Sequence, residues 1–96
     1  MTNIRLVSKG KRQLKPLVEA ALANEVRLLE AGIRQAEKRV QEFEKKYQML
    51  TQEFISRYEN DEMEETMDFA EWIGEFRLLE RLREKAETLT GIRFEN

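Results

Sequence analysis

A stripe of apolar residues recurs at alternating steps of three and four along the middle of this chain. The stripe, here called the seam, consists of Val26, Leu29, Ile33, Ala36, Val40, Phe43, Tyr47 and Leu50. This is the heptad spacing of a coiled coil on one long helix. Because a helix cannot hide its own apolar stripe from water, the seam must be covered by another helix of the same chain or of a second copy. The seam therefore predicts association more clearly than any activity.

The composition is that of a single domain of solvated helices. The 96 residues are 41% hydrophobic and 38% charged, which is too apolar for a disordered chain. Cysteine and histidine are both absent, which excludes thiolate nucleophiles, a histidine base and most transition-metal sites. The net charge of −2 disfavours nucleic-acid binding by the domain as a whole. We expect a protein without a catalytic site and without a cofactor.

The hydropathy pattern contains no targeting signal. No apolar run approaches the roughly 20 residues that a membrane-spanning helix needs. The polar N-terminus also lacks the apolar stretch of a signal peptide. We therefore expect a cytoplasmic protein that does not contact membranes.

The spacing predicts an all-α fold, a long antiparallel helical hairpin with a short middle helix. The first helix is predicted over residues 15–49, with Pro16 in the first turn, where its missing amide hydrogen costs nothing. Thr51 is placed to cap the short helix over residues 51–59. The apolar face of this short helix would be Phe54, Ile55 and Tyr58.

The last helix is predicted over residues 66–90, with Thr66 as its cap and Gly91 as its stop. Its apolar stripe comprises Phe69, Trp72, Ile73, Phe76, Leu79, Leu82, Ala86 and Leu89. This stripe is the natural cover for the seam if the chain folds back on itself. Trp72 with Phe69 and Phe76 is interpreted as core, the alternative being an anchor for a partner protein.

The two termini share an extended pattern. Residues 1–14 form a basic arm in which Asn3 to Val7 alternate polar and apolar residues, and Gly91 to Phe94 have the same character. Pairing of these segments as short strands, within or between chains, is one prediction for the termini.

A second apolar facet lies beside the seam in the first helix. Its members are Leu17, Ala21, Leu28 and Ala31, interrupted by Asn24. One helix with two facets generally has two neighbours, which predicts a dimeric helical bundle. Gly32 lies mid-helix, where it either permits close approach of a crossing helix or is a tolerated surface glycine.

The charges are segregated along the chain. Residues 1–18, the basic arm with the start of the first helix, carry Arg5, Lys9, Lys11, Arg12 and Lys15 without an acid. Lysine and arginine contacts to phosphates would make this arm a DNA-binding element, for example of an autoregulator. The alternatives are a solvated arm, or an arm that docks on the acids of a second subunit.

Four acids share one helical face at 4-3-4 spacing: Glu64, Asp68, Glu71 and Glu75. This acidic strip suits either a basic partner protein or a hard cation such as magnesium. Glu62, Glu65 and Asp68 also have the spacing of a fragment of the all-helical, magnesium-dependent nucleotide pyrophosphohydrolases. The remaining interpretation is a solvated helix N-terminus favoured by its dipole.

Three segments carry a family resemblance: Phe43 to Phe54, Arg57 to Glu59, and Asp68 to Trp72. Together they resemble a family of small archaeal and cyanobacterial helical proteins that are often taken to be the antitoxin-like halves of toxin–antitoxin pairs. Gln48 stands where that family usually has glycine. The resemblance implies a non-enzymatic binder that occludes a basic, toxin-like partner, and it implies no catalytic residue.

Overall fold

The computed structural model describes residues 2–5 and 14–95, and the side chains of residues 14–92. Three α-helices lie within this part of the chain: α1 (Leu14–Tyr47), α2 (Thr51–Glu59) and α3 (Met67–Thr90). The molecule is a rod with principal extents of 61 × 22 × 17 Å. The prediction of a helical fold with a short middle helix is confirmed.

Helix α3 folds back antiparallel along α1. Asp68 bonds to Lys46 near the start of α3, whereas Arg83 bonds to Glu37 farther along, so α3 residues of higher number meet α1 residues of lower number. The seam is therefore covered within the chain. Its Leu29, Ala36, Val40 and Phe43 are buried, and Val26, Ile33 and Tyr47 are half-buried.

The prediction for Leu50, the last seam position, is wrong. Helix α1 ends at Tyr47, and Gln48 adopts a left-handed conformation with φ of 52°. The amide of Met49 then donates to the carbonyl of Glu44 at 3.2 Å, which closes the helix end. Because the chain turns here, Leu50 no longer continues the stripe and is 70% exposed.

The cap prediction holds for α3 and fails for α2. Thr66 accepts a hydrogen bond from the amide of Phe69 at 3.1 Å, as a side-chain cap should. Thr51 is instead the first residue inside α2, and the capping position is Leu50, which makes no side-chain bond. Gly91 ends α3 as expected, with right-handed backbone geometry.

The terminal segments lie side by side as short strands. Strand β1 (Thr2–Arg5) pairs in parallel with β2 (Ile92–Glu95), so that Thr2 faces Ile92 and Arg5 faces Glu95. A parallel pair requires a long connection between its strands. Here the three helices provide that connection.

Candidate functional site

The centre of the molecule is an aromatic stack around Trp72. The indole is fully buried. It lies 3.9 Å from the ring of Phe54 and 5.7 Å from that of Phe43, both nearly parallel to it. The three rings come from α3, α2 and α1, so one cluster fastens all three helices. Trp72 is therefore a core residue, and the alternative of a partner anchor is wrong.

A chain of hydrogen bonds runs through this core. The Trp72 indole N–H donates to Thr51 Oγ1 at 3.0 Å. The hydroxyl and the amide of Thr51 both donate to Glu44 Oε2 at 2.8 Å. A carboxylate from α1 thus satisfies the first amide of α2, where a negative charge is favoured by the helix dipole. Glu44 performs the capping that the sequence analysis assigned to Thr51.

Two acids of the strip face α1. Asp68 accepts hydrogen bonds from Lys46 Nζ at 2.6 Å and from the Tyr47 hydroxyl at 2.5 Å. These bonds lower the pKa of the Asp68 carboxyl and raise the pKa values of Lys46 and Tyr47. Glu71 lies 3.7 Å from Arg39. The strip is therefore partly neutralised by the facing helix.

The other two acids of the strip have a different setting. Glu64 is exposed and Glu75 is half-buried. Neither takes part in an ion pair between described residues. Glu64 lies before α3, in an acidic turn that is counted here from the last residue of α2 and in which every acid is exposed: Glu59, Asp61, Glu62, Glu64 and Glu65. The densest negative charge thus lies at this end of the hairpin.

The carboxylates proposed for magnesium do not converge. Glu65 accepts a 3.0 Å hydrogen bond from the Tyr58 hydroxyl, and this bond raises the pKa of that phenol. Asp68 is turned toward Lys46. Across residues 2–5 and 14–95, no three acids are grouped so that they could hold a metal ion.

Most of the basic arm is not described. Lys9, Lys11 and Arg12 lie outside the described residues, and of Arg5 only the backbone is described, in β1. Lys15 lies in the first turn of α1. DNA binding by the arm stays a prediction.

The second facet of α1 remains uncovered. Leu17 is 66% exposed and Leu28 is 61% exposed, and Ala21 and Ala31 between and beyond them are exposed as well. The prediction of an apolar facet distinct from the seam is confirmed, whereas the neighbour that should cover it is not shown.

Helix α3 also exposes apolar residues that its heptad stripe did not predict. Met67 is 79% exposed and Leu78 is 38% exposed. Leu78 borders a groove of about 220 Å³ with Leu82, Gln35 and Arg39. The signal was available in the spacing of Met67, Ala70, Gly74 and Leu78, but the stronger stripe on the same helix masked it.

Comparisons with known proteins do not extend this description. No protein-family model, curated protein or solved structure matches the chain. None of the helices that the structure describes is both long and apolar enough to cross a membrane.

Proposed function

We propose that this chain is a non-enzymatic, dimeric protein-interaction module that occludes a surface of a partner protein, in the manner of an antitoxin. The observation that carries the proposal is the exposed facet of Leu17 and Leu28 on α1. Two leucines more than half exposed on one helical face form the kind of patch by which amphipathic helices bind a groove.

This facet is left over because it points away from the side of α1 that α3 covers. The side of α1 that α3 does cover is the seam, with Leu29 and Val40 buried. Leu28 immediately precedes Leu29 in α1, so its side chain points about 100° away from that of Leu29. A partner helix can reach Leu28 without disturbing the core.

The charges favour a basic partner. The exposed acids of the turn between α2 and α3 lie together at one end of the hairpin. A negative patch of this kind speeds encounter with a positively charged protein and is sensitive to salt. Because Asp68 and Glu71 already pair with Lys46 and Arg39, we assign the steering role to Glu64, Glu75 and the acidic turn.

The test is co-expression with the product of the adjacent gene, followed by measurement of the dissociation constant. We expect a stable complex that is weakened at least about tenfold by Leu28→Glu or Leu17→Glu. Leu50→Glu is the matched control, because Leu50 is equally exposed but lies outside the facet. Absence of a complex, or equal loss with the control variant, would overturn the proposal.

A further inference from the structure

One side of α3 is exposed along most of its length. This outer face consists of Met67, Ala70, Glu71, Gly74, Arg77, Leu78 and Arg81, all of which are exposed. At 3.6 residues per turn these seven side chains lie within about 60° of Gly74. The opposite side of the helix carries Trp72 and Leu79, which are buried. The outer face is thus separate from the core.

Gly74 lies at the centre of the outer face. A Cβ atom added there would meet no other atom within 4 Å. Nothing in the described chain therefore requires glycine at this position. The absence of a side chain does allow the backbone of a second helix to approach closely.

The outer face is complementary to itself. Consider an antiparallel pair of α3 helices that cross at Gly74. A residue that lies a given number of positions before Gly74 on one copy then faces the residue that lies the same number of positions after Gly74 on the other copy. Glu71 then faces the partner's Arg77, and Arg77 faces the partner's Glu71. Leu78 faces the small side chain of the partner's Ala70. A two-fold interface must match itself in this way.

The charges on the outer face are available for such pairs. Arg77 and Arg81 take part in no ion pair between described residues. Glu71 is 52% exposed and lies 3.7 Å from Arg39, so its carboxylate can accept a second cation. Reversing the direction of the second helix would place Glu71 opposite Glu71 and Arg77 opposite Arg77. The charge pattern therefore selects the antiparallel arrangement.

We infer that two copies of this chain pair through the outer faces of α3, antiparallel and crossing at Gly74. This pairing rests on the proposed function, because both treat the chain as a protein-interaction module. It names the surface for the second copy and leaves the facet of Leu17 and Leu28 open for the other protein.

Crosslinking tests the crossing point. The chain has no cysteine, so Gly74→Cys provides a single thiol that a short bis-maleimide can join only to another copy. We expect a covalent dimer in high yield. Ser56→Cys is the control, since Ser56 is exposed on α2 and away from the outer face. Equal yields from the two variants would overturn the inference.

Charge reversal tests the pairing itself, with solution mass measured by light scattering. Glu71→Arg and Arg77→Glu each place like charges opposite one another, and we expect each to weaken self-association about tenfold or more. Mixing the two variants restores both opposite-charge pairs and should restore the dimer. A wild-type monomer at submillimolar concentration, or a mixture that stays monomeric, would overturn the inference. Binding of the neighbouring gene product is measured separately, through Leu28→Glu.

Discussion

The indole N–H of Trp72 donates a 3.0 Å hydrogen bond to Thr51 Oγ1 across a sequence separation of 21 residues. The hydroxyl and the amide of Thr51 in turn both donate hydrogen bonds to the carboxylate of Glu44. One threonine at the start of α2 thereby fixes the position of α2 between α1 and α3. The core depends on this polar link as well as on its stacked rings.

Thr51→Val should therefore destabilise the protein. Valine keeps the shape of threonine but leaves the buried Trp72 indole without an acceptor, which costs about 2 kcal/mol of unfolding free energy. Urea denaturation followed by tryptophan fluorescence measures the change. Thr88→Val is the control, because the Thr88 hydroxyl donates only to the Glu84 carbonyl of its own helix. A loss no larger than that of the control would show that the link contributes little.

Two residues at helix ends have a left-handed backbone conformation, and we expect glycine to stabilise the protein at both positions. Gln48 and Asp61 have φ of 52° and 57°, a conformation that favours glycine. Gln48→Gly should raise the free energy of unfolding by about 1 kcal/mol, and Asp61→Gly by less, because aspartate tolerates this conformation better. Gln41→Gly, in the right-handed interior of α1, should instead lower it by about 1 kcal/mol. Thermal unfolding of the three variants decides whether the backbone conformation is responsible.

The sequence was a good guide to the helices because their limits are set locally. Pro16, Thr66 and Gly91 act within one turn of the positions they mark, and α3 begins and ends within one residue of the prediction. The end of α1 at Tyr47 was predicted two residues late. Glutamine does not favour the left-handed conformation that Gln48 adopts, so the residue type at this position did not mark the end of the helix.

The candidate sites were harder to predict because they depend on what lies opposite. Periodicity placed Asp68 and Glu71 on one face, but it could not show that Lys46 and Arg39 face them from α1. It likewise could not decide whether the seam closes within the chain. Such pairings follow from the packing of α1 against α3, which depends on where the turns direct the chain.

The two mid-helix glycines predict opposite responses to alanine. At Gly74 an added Cβ meets open space, so Gly74→Ala should raise the free energy of unfolding by about 1 kcal/mol at dilute, monomeric concentration. At Gly32 the Cβ would lie 3.3 Å from Leu82 Cδ1, so α3 packs closely there. Gly32→Ala should therefore raise the free energy of unfolding by less than Gly74→Ala does, or lower it. Equal gains at both positions would contradict the close approach at Gly32.

The acid sensitivity of the fold should depend on Asp68. Hydrogen bonds from Lys46 and Tyr47 lower the pKa of this carboxyl in the folded state. A lowered folded pKa means that the contribution to stability is complete above the ordinary aspartate pKa of about 3.9 and is lost as the pH falls through the folded value.

Asp68→Asn should remove this dependence. We expect the wild type to unfold at a higher urea concentration than the variant at neutral pH, and the difference to shrink as the pH falls below about 4. Glu64→Gln is the control, because Glu64 is exposed and forms no ion pair with a described residue. The difference in unfolding urea concentration between Glu64→Gln and the wild type should change little over the same pH range. If the Asp68→Asn curve instead ran parallel to that of the wild type, the bonds from Lys46 and Tyr47 would contribute nothing that depends on ionisation.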